Sequence, residues 1–273
     1  MRDEDLEIEY IVVDGGSADG TVEIIRDFEK KVLCLKSQAS SLKSDVSRPC
    51  QSHERDLDFR WLSEKDRGMY DALNKGIAMA TGDVIGILNA DDVLAEDDTL
   101  AKVAAAFGDP AIDGIYADIR FVRDAGWRGD EILGKIRSAK TARYCSGKRF
   151  RPWMFRFGTQ TAHPSTFFRK ECFAKWGEYS LDFGMYGDFE LLCRFIWKHR
   201  ARMKYLPLCT TVMRMGGAST NGWRTTLKIN RADLRALKAN GCWSCLPFLY
   251  ARYFFKVWGF VFKTSRHSAC FMI

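Results

Sequence analysis

Strand and helix signals alternate along the first half of the chain, and this alternation limits the possible folds more than any other feature. Apolar, β-rich runs at residues 8–13, 59–62, 84–88 and 115–122 are separated by segments whose apolar side chains recur at helical spacing. Such alternation favours helices packed around a mostly parallel sheet. We therefore expect an α/β fold in which ligands bind beyond the carboxyl ends of the strands.

A glycine-rich loop follows the first of these strands, at Asp14-Gly15-Gly16-Ser17-Ala18-Asp19-Gly20-Thr21. Glycine allows the backbone to pass close to a ligand, and the Asp14 carboxylate could accept hydrogen bonds from a base or a ribose. The alternative is a tight strand-to-helix turn in which Asp19 caps the next helix. The loop lacks the Gly-Lys-Ser/Thr ending of a phosphate-binding P-loop.

Two adjacent carboxylates, Asp91 and Asp92, follow the strand predicted at residues 84–88, in the segment Asn89-Ala90-Asp91-Asp92. Their mutual repulsion would be offset by a divalent cation, and hard oxygen ligands suit Mg²⁺ or Mn²⁺ bound together with substrate phosphates. The alternative is a polar loop in which one aspartate caps a helix.

Charged side chains also cluster at the start of a helix predicted at residues 69–80. Asp71 lies three residues before Asn74 and four before Lys75, so these side chains share one helix face, close to Arg67. The cluster either contacts a ligand at the mouth of the sheet or forms an ordinary solvated helix face.

A further carboxylate, Asp188, lies at the predicted N-terminus of a helix over residues 187–198. The helix dipole favours its ionised form there. An ionised carboxylate can act as a general base toward a hydroxyl, although it can equally serve as a helix cap.

The order of these motifs resembles that of the family 2 glycosyltransferases, which are inverting enzymes of GT-A fold that use nucleotide-sugar donors. The resemblance extends from about residue 8 to about residue 221. The family members that the chain resembles assemble bacterial surface polysaccharides. The matching segments are Ile11-Val-Val-Asp14-Gly-Gly-Ser17, Arg67-Gly68-x-Tyr70-Asp71-Ala-x-Asn74-Lys75-Gly76, Asn89-Ala-Asp91-Asp92, His163-Pro-Ser, Gly187-Asp188-Phe-Glu190 and Gly216-Gly217-Ala-Ser219.

The resemblance implies a GT-A fold, a Rossmann-like mixed sheet flanked by helices. It also implies transfer of a sugar from a nucleotide sugar, with uridine as the expected base, to a saccharide or lipid-linked saccharide, with Asp188 as the catalytic base. It assigns the metal, Mg²⁺ or Mn²⁺, to Asp91 and Asp92, and acceptor contacts to His163, Tyr186 and Glu190. The implied nucleotide-sugar contacts are Asp14, Gly15, Ser17, Asp19, Arg67, Gly68, Asp71, Asn74, Lys75, Asn89 and Asp91.

We assign residues 1–222 to the GT-A domain and 223–273 to a C-terminal helical tail. Family members usually begin with a strand and a helix that residues 1–7 are too short to supply. An inactive, truncated family member acting as a scaffold is therefore an alternative. Residues from about 36 to 56 are polar and Ser-rich and are predicted to form a surface loop or insertion.

The tail is strongly basic: 15 Lys and Arg residues follow Glu190, against the single acid Asp233. In residues 246–263 the spacing of Arg252, Lys256 and Lys263 predicts a basic stripe on an aromatic helix. That pattern is typical of an interfacial helix on anionic lipid. We expect a cytoplasmic protein, peripheral at the inner face of the plasma membrane; packing of the helix on the core is the alternative.

Two other classes of protein fit the sequence less well. A nucleic-acid-binding protein could use the basic tail, but no recognised binding module is present, so no nucleic-acid partner is expected. A nucleotidyltransferase would carry a Gly-rich N-terminal loop with a Lys or Arg, which is also missing. The sequence has no run of 18 or more uncharged apolar residues, so no membrane-spanning helix is predicted.

Overall fold

The computed structural model describes residues 6–42, 57–123, 132–215 and 222–261. The chain divides into two compact units, Met1–Asp83 and Val84–Ile273. Both combine strands with helices, so the predicted α/β class is confirmed. The observed division falls at residue 83, whereas the sequence suggested a boundary near residue 222.

The first unit contains two parallel strands and two helices: β1 (Ile8–Asp14), α1 (Thr21–Leu42), β2 (Leu57–Ser63) and α2 (Met69–Met79). Asp14 lies opposite Ser63 in the β1–β2 pair, so both strands end at the same edge. The loops that follow the two strands are therefore neighbours.

The predicted loop at residues 36–56 is wrong in its first part, because α1 continues to Leu42. The Ser37 hydroxyl donates a hydrogen bond at 2.7 Å to the carbonyl of Cys34, one helical turn earlier. Serine is accommodated in a helix by this kind of bond, so a Ser-rich composition did not end the helix here. Residues 43–56 lie outside the described part of the chain.

The second unit contains a six-stranded mixed sheet of order β3-β7-β5-β8-β4, with β6 on β5. Its strands are β3 (Val84–Ile85), β4 (Val93–Leu94), β5 (Gly114–Arg123), β6 (Thr141–Cys145), β7 (Thr166–Arg169) and β8 (Met203–Met215). Its α-helices among the described residues are α3 (Thr99–Ala106), α4 (Ile132–Ser138), α5 (Lys170–Trp176), α6 (Gly187–Leu192), α7 (Gly222–Ala239) and α8 (Leu246–Val261).

The expectation of a mostly parallel sheet is wrong for this unit. The β5–β8 pair is parallel, whereas the other described pairs in the sheet are antiparallel. Strand periodicity specifies which faces are apolar but not the direction of the partner, so the sequence pattern could not settle this point. The core lies on β5 and β8, where Ile115, Ile119, Val122 and Val212 are fully buried.

Within this unit, the C-terminal helix α8 packs against earlier segments of the chain. On α8, Leu249 and Arg252 are buried, and Phe248 stacks on Phe157 with ring centroids 4.9 Å apart. The predicted basic stripe is therefore wrong at Arg252, which points into the protein. The side chain of Lys256 and all of Lys263 lie outside the described residues. In the described part of the chain, no helix combines the length and apolarity needed to cross a membrane.

Candidate active site

The Asp14 carboxylate organises the loop that follows β1. Its Oδ2 atom accepts hydrogen bonds from the backbone N–H groups of Gly16 and Ser17, both at 3.0 Å, and from the Ser63 hydroxyl at 2.6 Å. The Ser17 and Ser63 hydrogen bonds lower the pKa of Asp14 to about 2, against a smaller opposing effect of burial. This predicted nucleotide contact is thus a fixed anion at the carboxyl end of a strand.

Two glycines and an aspartate shape the same edge. A Cβ atom on Gly15 would lie 2.5 Å from Asp66 Oδ2, so this position is limited to glycine unless Asp66 moves. Gly68, with φ of 122°, donates a backbone hydrogen bond to Asp66 Oδ1 at 2.9 Å. Asp19 lies two residues before the start of α1 and accepts hydrogen bonds from the Thr21 N–H and hydroxyl. These bonds support the first turn of α1, and the nucleotide contact of Asp19 stays a prediction.

The charged cluster at the start of α2 forms among the predicted residues. Arg67 donates hydrogen bonds to Asp71 from its guanidinium at 2.9 Å and from its backbone N–H at 3.1 Å, and these bonds lower the pKa of Asp71. Lys75 pairs with Glu64 at 2.8 Å and lies 3.7 Å from Asp71. Asn74 belongs to the same helix. The cluster thus neutralises its own charge.

The predicted metal ligands lie on the turn between β3 and β4 in the second unit. Asp91 is exposed, whereas Asp92 is buried with only 5% of its surface exposed. Asn89 Nδ2 donates a hydrogen bond to Asp92 Oδ2 at 2.7 Å, but Asp92 Oδ1 is buried without a partner among the described residues. Burial raises the pKa of Asp92 to about 6, against the effect of the Asn89 bond.

These properties fit a divalent cation. A buried carboxylate oxygen that lacks a hydrogen bond is costly, and a cation would satisfy it. No group of three or more acidic, His or Cys side chains that could hold a metal occurs in the described residues. Two carboxylates are nevertheless enough for Mg²⁺ or Mn²⁺ when phosphate oxygens and water complete the coordination.

Asp188 lies in the first turn of α6 and is held by Gln160, a residue outside the motifs of the sequence. Gln160 Nε2 donates a hydrogen bond to Asp188 Oδ2 at 3.0 Å. Burial lowers the pKa of His163, and the nearby carboxylate of Asp188 partly opposes this effect. Asp188 is only partly buried, so a carboxylate with one firmly held oxygen borders the surface.

Two of the three predicted acceptor contacts are buried in the structure. His163 is buried, and its Nε2 atom lies 2.5 Å from the Tyr179 hydroxyl in a hydrogen bond. Glu190 is also buried, where it accepts hydrogen bonds from Arg194 and from Asn240. Both side chains are therefore occupied inside the protein. Tyr186 is partly exposed and lies two residues before Asp188, and its contact with the acceptor stays a prediction.

Gln160, Tyr179 and Asp233 were missed from the sequence. Gln160 and Tyr179 carry no local signal, because their partners are 28 and 16 residues away along the chain. Asp233 had a signal, since it is the single acid in a basic tail, and it pairs with Arg252 at 3.0 Å in a buried ion pair. The closing loop predicted at residues 216–219 lies outside the described residues.

Comparison with known proteins agrees with the motif order. Residues 2–170 match the family model described as "Glycosyl transferase family 2". An uncharacterized glycosyltransferase of Mycobacterium tuberculosis is 30% identical over 188 residues, which are 68% of this chain and 56% of that protein. A PGL/p-HBAD biosynthesis glycosyltransferase of Mycobacterium bovis is 29% identical over 191 residues, 69% of this chain and 58% of the relative. The matches thus span little more than half the length of these relatives.

Solved structures share the fold at low sequence identity. TarS of S. aureus, residues 1–349 in complex with UDP, aligns with a TM-score of 0.50 and 14% identity, covering 96% of this chain and 69% of that one. A longer TarS structure aligns with a TM-score of 0.52 and 14% identity, covering 96% of this chain and 42% of that one. At this identity the likeness concerns the fold alone.

Proposed function

The chain belongs to glycosyltransferase family 2 and has its GT-A fold, and on that premise we propose that it transfers a sugar from a UDP-sugar to a saccharide or lipid-linked saccharide. The observation that carries the proposal is the placement of Asp188, a partly exposed carboxylate at the start of α6 with one oxygen held by Gln160. Relatives named for PGL/p-HBAD biosynthesis favour a role in glycoconjugate assembly.

Asp188 accepts the proton of the acceptor hydroxyl in this mechanism. The hydroxyl oxygen forms a bond to the anomeric carbon as the bond from that carbon to the diphosphate oxygen breaks. The attack comes from the face opposite to the leaving group, so the configuration inverts and the nucleoside diphosphate leaves with the electron pair. Tyr186 contacts the acceptor in this proposal, which its partial exposure and its place two residues before Asp188 support.

The donor is held by the loops at the strand ends. The edge formed by the loops after β1 and β2 offers the Asp14 carboxylate, the Arg67 guanidinium and closely packed glycine backbone to a nucleoside. Asp91 and Asp92 would hold Mg²⁺ or Mn²⁺, which when bound neutralises the charge that develops on the departing diphosphate. The unpartnered Asp92 Oδ1 is the support for this assignment.

Donor binding and turnover test the proposal. The purified chain is incubated with UDP-glucose, UDP-galactose or UDP-N-acetylglucosamine, with Mn²⁺ or EDTA, and with octyl glycosides as surrogate acceptors. We expect UDP with Mn²⁺ to raise the Tm, EDTA to remove this rise, and one donor to give an octyl glycoside product of inverted anomeric configuration. No rise in Tm and no product with any donor would contradict the proposal, and a retained configuration would contradict the mechanism.

A further inference from the structure

A short turn connects the candidate base to the C-terminal helix α8. Gln160 donates its hydrogen bond to Asp188, and two residues earlier the Gly158 carbonyl accepts a hydrogen bond from Arg252 Nη1 at 2.6 Å. From this series of contacts we propose that Arg252 is a positioning residue for Asp188 and acts through the turn at residues 158–160. The proposal rests on the proposed function, in which Asp188 is the general base.

The turn and the guanidinium are shaped to each other. Gly158 ends the 3₁₀ helix Pro152–Phe157 in the left-handed conformation, with φ of 67°. A Cβ atom on Gly158 would overlap the guanidinium of Arg252 and would lie 3.2 Å from Leu249. A glycine is therefore needed here for two reasons, its backbone conformation and the space that α8 occupies.

The guanidinium is deeply buried, and its other contacts fix its orientation. The side chain of Arg252 is 2% exposed and that of its ion-pair partner Asp233 is 4% exposed. Arg252 Nη2 also donates a hydrogen bond to Asn230 Oδ1, so α7 supplies two of the acceptors around the guanidinium. A buried ion pair contributes little net stability compared with apolar side chains of similar volume. The geometry that the pair imposes on the turn is the better explanation for it.

A second arginine, Arg235 of α7, contacts the segment of the chain that precedes the base. Arg235 donates a hydrogen bond to the carbonyl of Asp182 and lies over the ring of Phe183, 4.5 Å from its centroid. Both residues belong to the 3₁₀ segment Leu181–Tyr186, which leads directly into α6 and Asp188. The two C-terminal helices therefore contact two segments next to Asp188: α8 contacts the turn at residues 158–160, and α7 contacts the segment at residues 181–186.

Loss of Arg252 is expected to affect the chemical step of the reaction and not the binding of the donor. A misplacement of a catalytic group by about 1 Å can cost about 100-fold in rate. Loss of Arg252 would leave the Gly158 carbonyl without its guanidinium donor and would loosen the hydrogen bond from Gln160. We therefore expect Arg252 to affect the rate of proton removal and not the binding of the donor, because the predicted donor contacts are other residues.

Hydrogen–deuterium exchange tests the positioning directly. In Arg252→Met, we expect the backbone amides of residues 158–160 to exchange at least tenfold faster, while Arg231→Met, the same change at an exposed position of α7, leaves them unaltered. Asp233→Asn combined with Arg252→Met removes both buried charges and is the second variant if the first does not fold. Unchanged exchange at residues 158–160 in a folded Arg252 variant would overturn the proposal.

Kinetic coupling separates positioning from general stability. We expect Arg252→Met and Gln160→Ala each to lower kcat about 10- to 100-fold with an unchanged KM for the donor, and Arg252→Lys to recover part of the loss. Since both residues act through one turn, the double variant should be no slower than the slower single variant. Multiplied losses would overturn the proposal. If the wild-type chain transfers no sugar, the proposed function fails, and the exchange experiment alone decides whether Arg252 orders the turn.

Discussion

Asp14, the last residue of β1, and Asp92, which directly precedes β4, are both buried aspartates, yet their environments are opposite. Asp14 Oδ2 accepts three hydrogen bonds, and the pKa of Asp14 falls to about 2. Asp92 Oδ1 has no partner in the described part of the chain, and the pKa of Asp92 rises to about 6. One oxygen of the first carboxylate is satisfied within the protein and organises a loop, whereas one oxygen of the second is buried without a hydrogen bond, and we propose that a cation satisfies it.

The largest effect expected from this difference is on metal affinity. Asp92→Asn removes a charged ligand and should weaken Mn²⁺ binding in the presence of UDP by about 100-fold or more, since loss of one partner of a buried charge pair costs about 3–5 kcal/mol. The same substitution at Asp14 is the comparison; because Asp14 is a predicted nucleotide contact, UDP is kept at a saturating concentration for each variant, and Mn²⁺ affinity should then change little. Isothermal titration of both variants measures this, and equal losses would show that the two sites do not differ as described.

The same two substitutions should change the stability of the metal-free protein in opposite directions. The folded-state pKa of Asp92 lies above its usual value of 3.8, so the ionised carboxylate destabilises the native state by about 3 kcal/mol above pH 6. Asp92→Asn should therefore raise the free energy of unfolding by up to that amount at pH 7.5, with the gain vanishing below pH 4.

The ionised carboxylate of Asp14 has the opposite effect on the stability of the native state. Its pKa is depressed from 3.8, so the ionised form stabilises the native state above pH 4, and this contribution is lost as the pH falls through about 2. Asp14→Asn should lower the Tm in the neutral range. Urea unfolding in EDTA at several pH values measures the free energy of unfolding of both variants. A stabilising Asp14→Asn or a destabilising Asp92→Asn would contradict the predicted opposite effects.

A smaller effect is expected from pH itself. A cation competes with the proton on Asp92, so Mn²⁺ affinity should fall about tenfold between pH 7 and pH 5 as the carboxylate protonates around pH 6. In the Asp92→Asn variant this dependence should flatten. A pH-independent affinity in the unmodified protein would remove Asp92 from the ligand set.

Local patterns could be predicted from the sequence wherever a residue's role depends on its neighbours in the chain. The strand at Ile8–Asp14, the pairing of Asp71 with Arg67 and Lys75, and the position of Asp188 at a helix start all depend on short spacings. Arg252 was misplaced because helical spacing alone does not tell an exposed cation from one that meets a buried carboxylate.

Contacts between distant segments could not be predicted in this way. Gln160 meets Asp188 from 28 residues away, and Arg252 meets Gly158 from 94 residues away. The antiparallel partners of β5 are likewise specified by packing across the sheet and not by the periodicity of the strand. The candidate base could thus be identified from its motif, but the side chains that hold it could not.

The most direct test of Asp188 as the general base is to measure the turnover of Asp188→Asn. The control is Asp182→Asn, the same change at an exposed position six residues earlier. We expect Asp188→Asn to lose at least 1,000-fold in kcat, which is the size of a general-base contribution, while UDP with Mn²⁺ still raises its Tm as in the unmodified protein. Asp182→Asn should retain nearly full activity. Turnover of Asp188→Asn within a few-fold of the unmodified protein would contradict the assignment of the base.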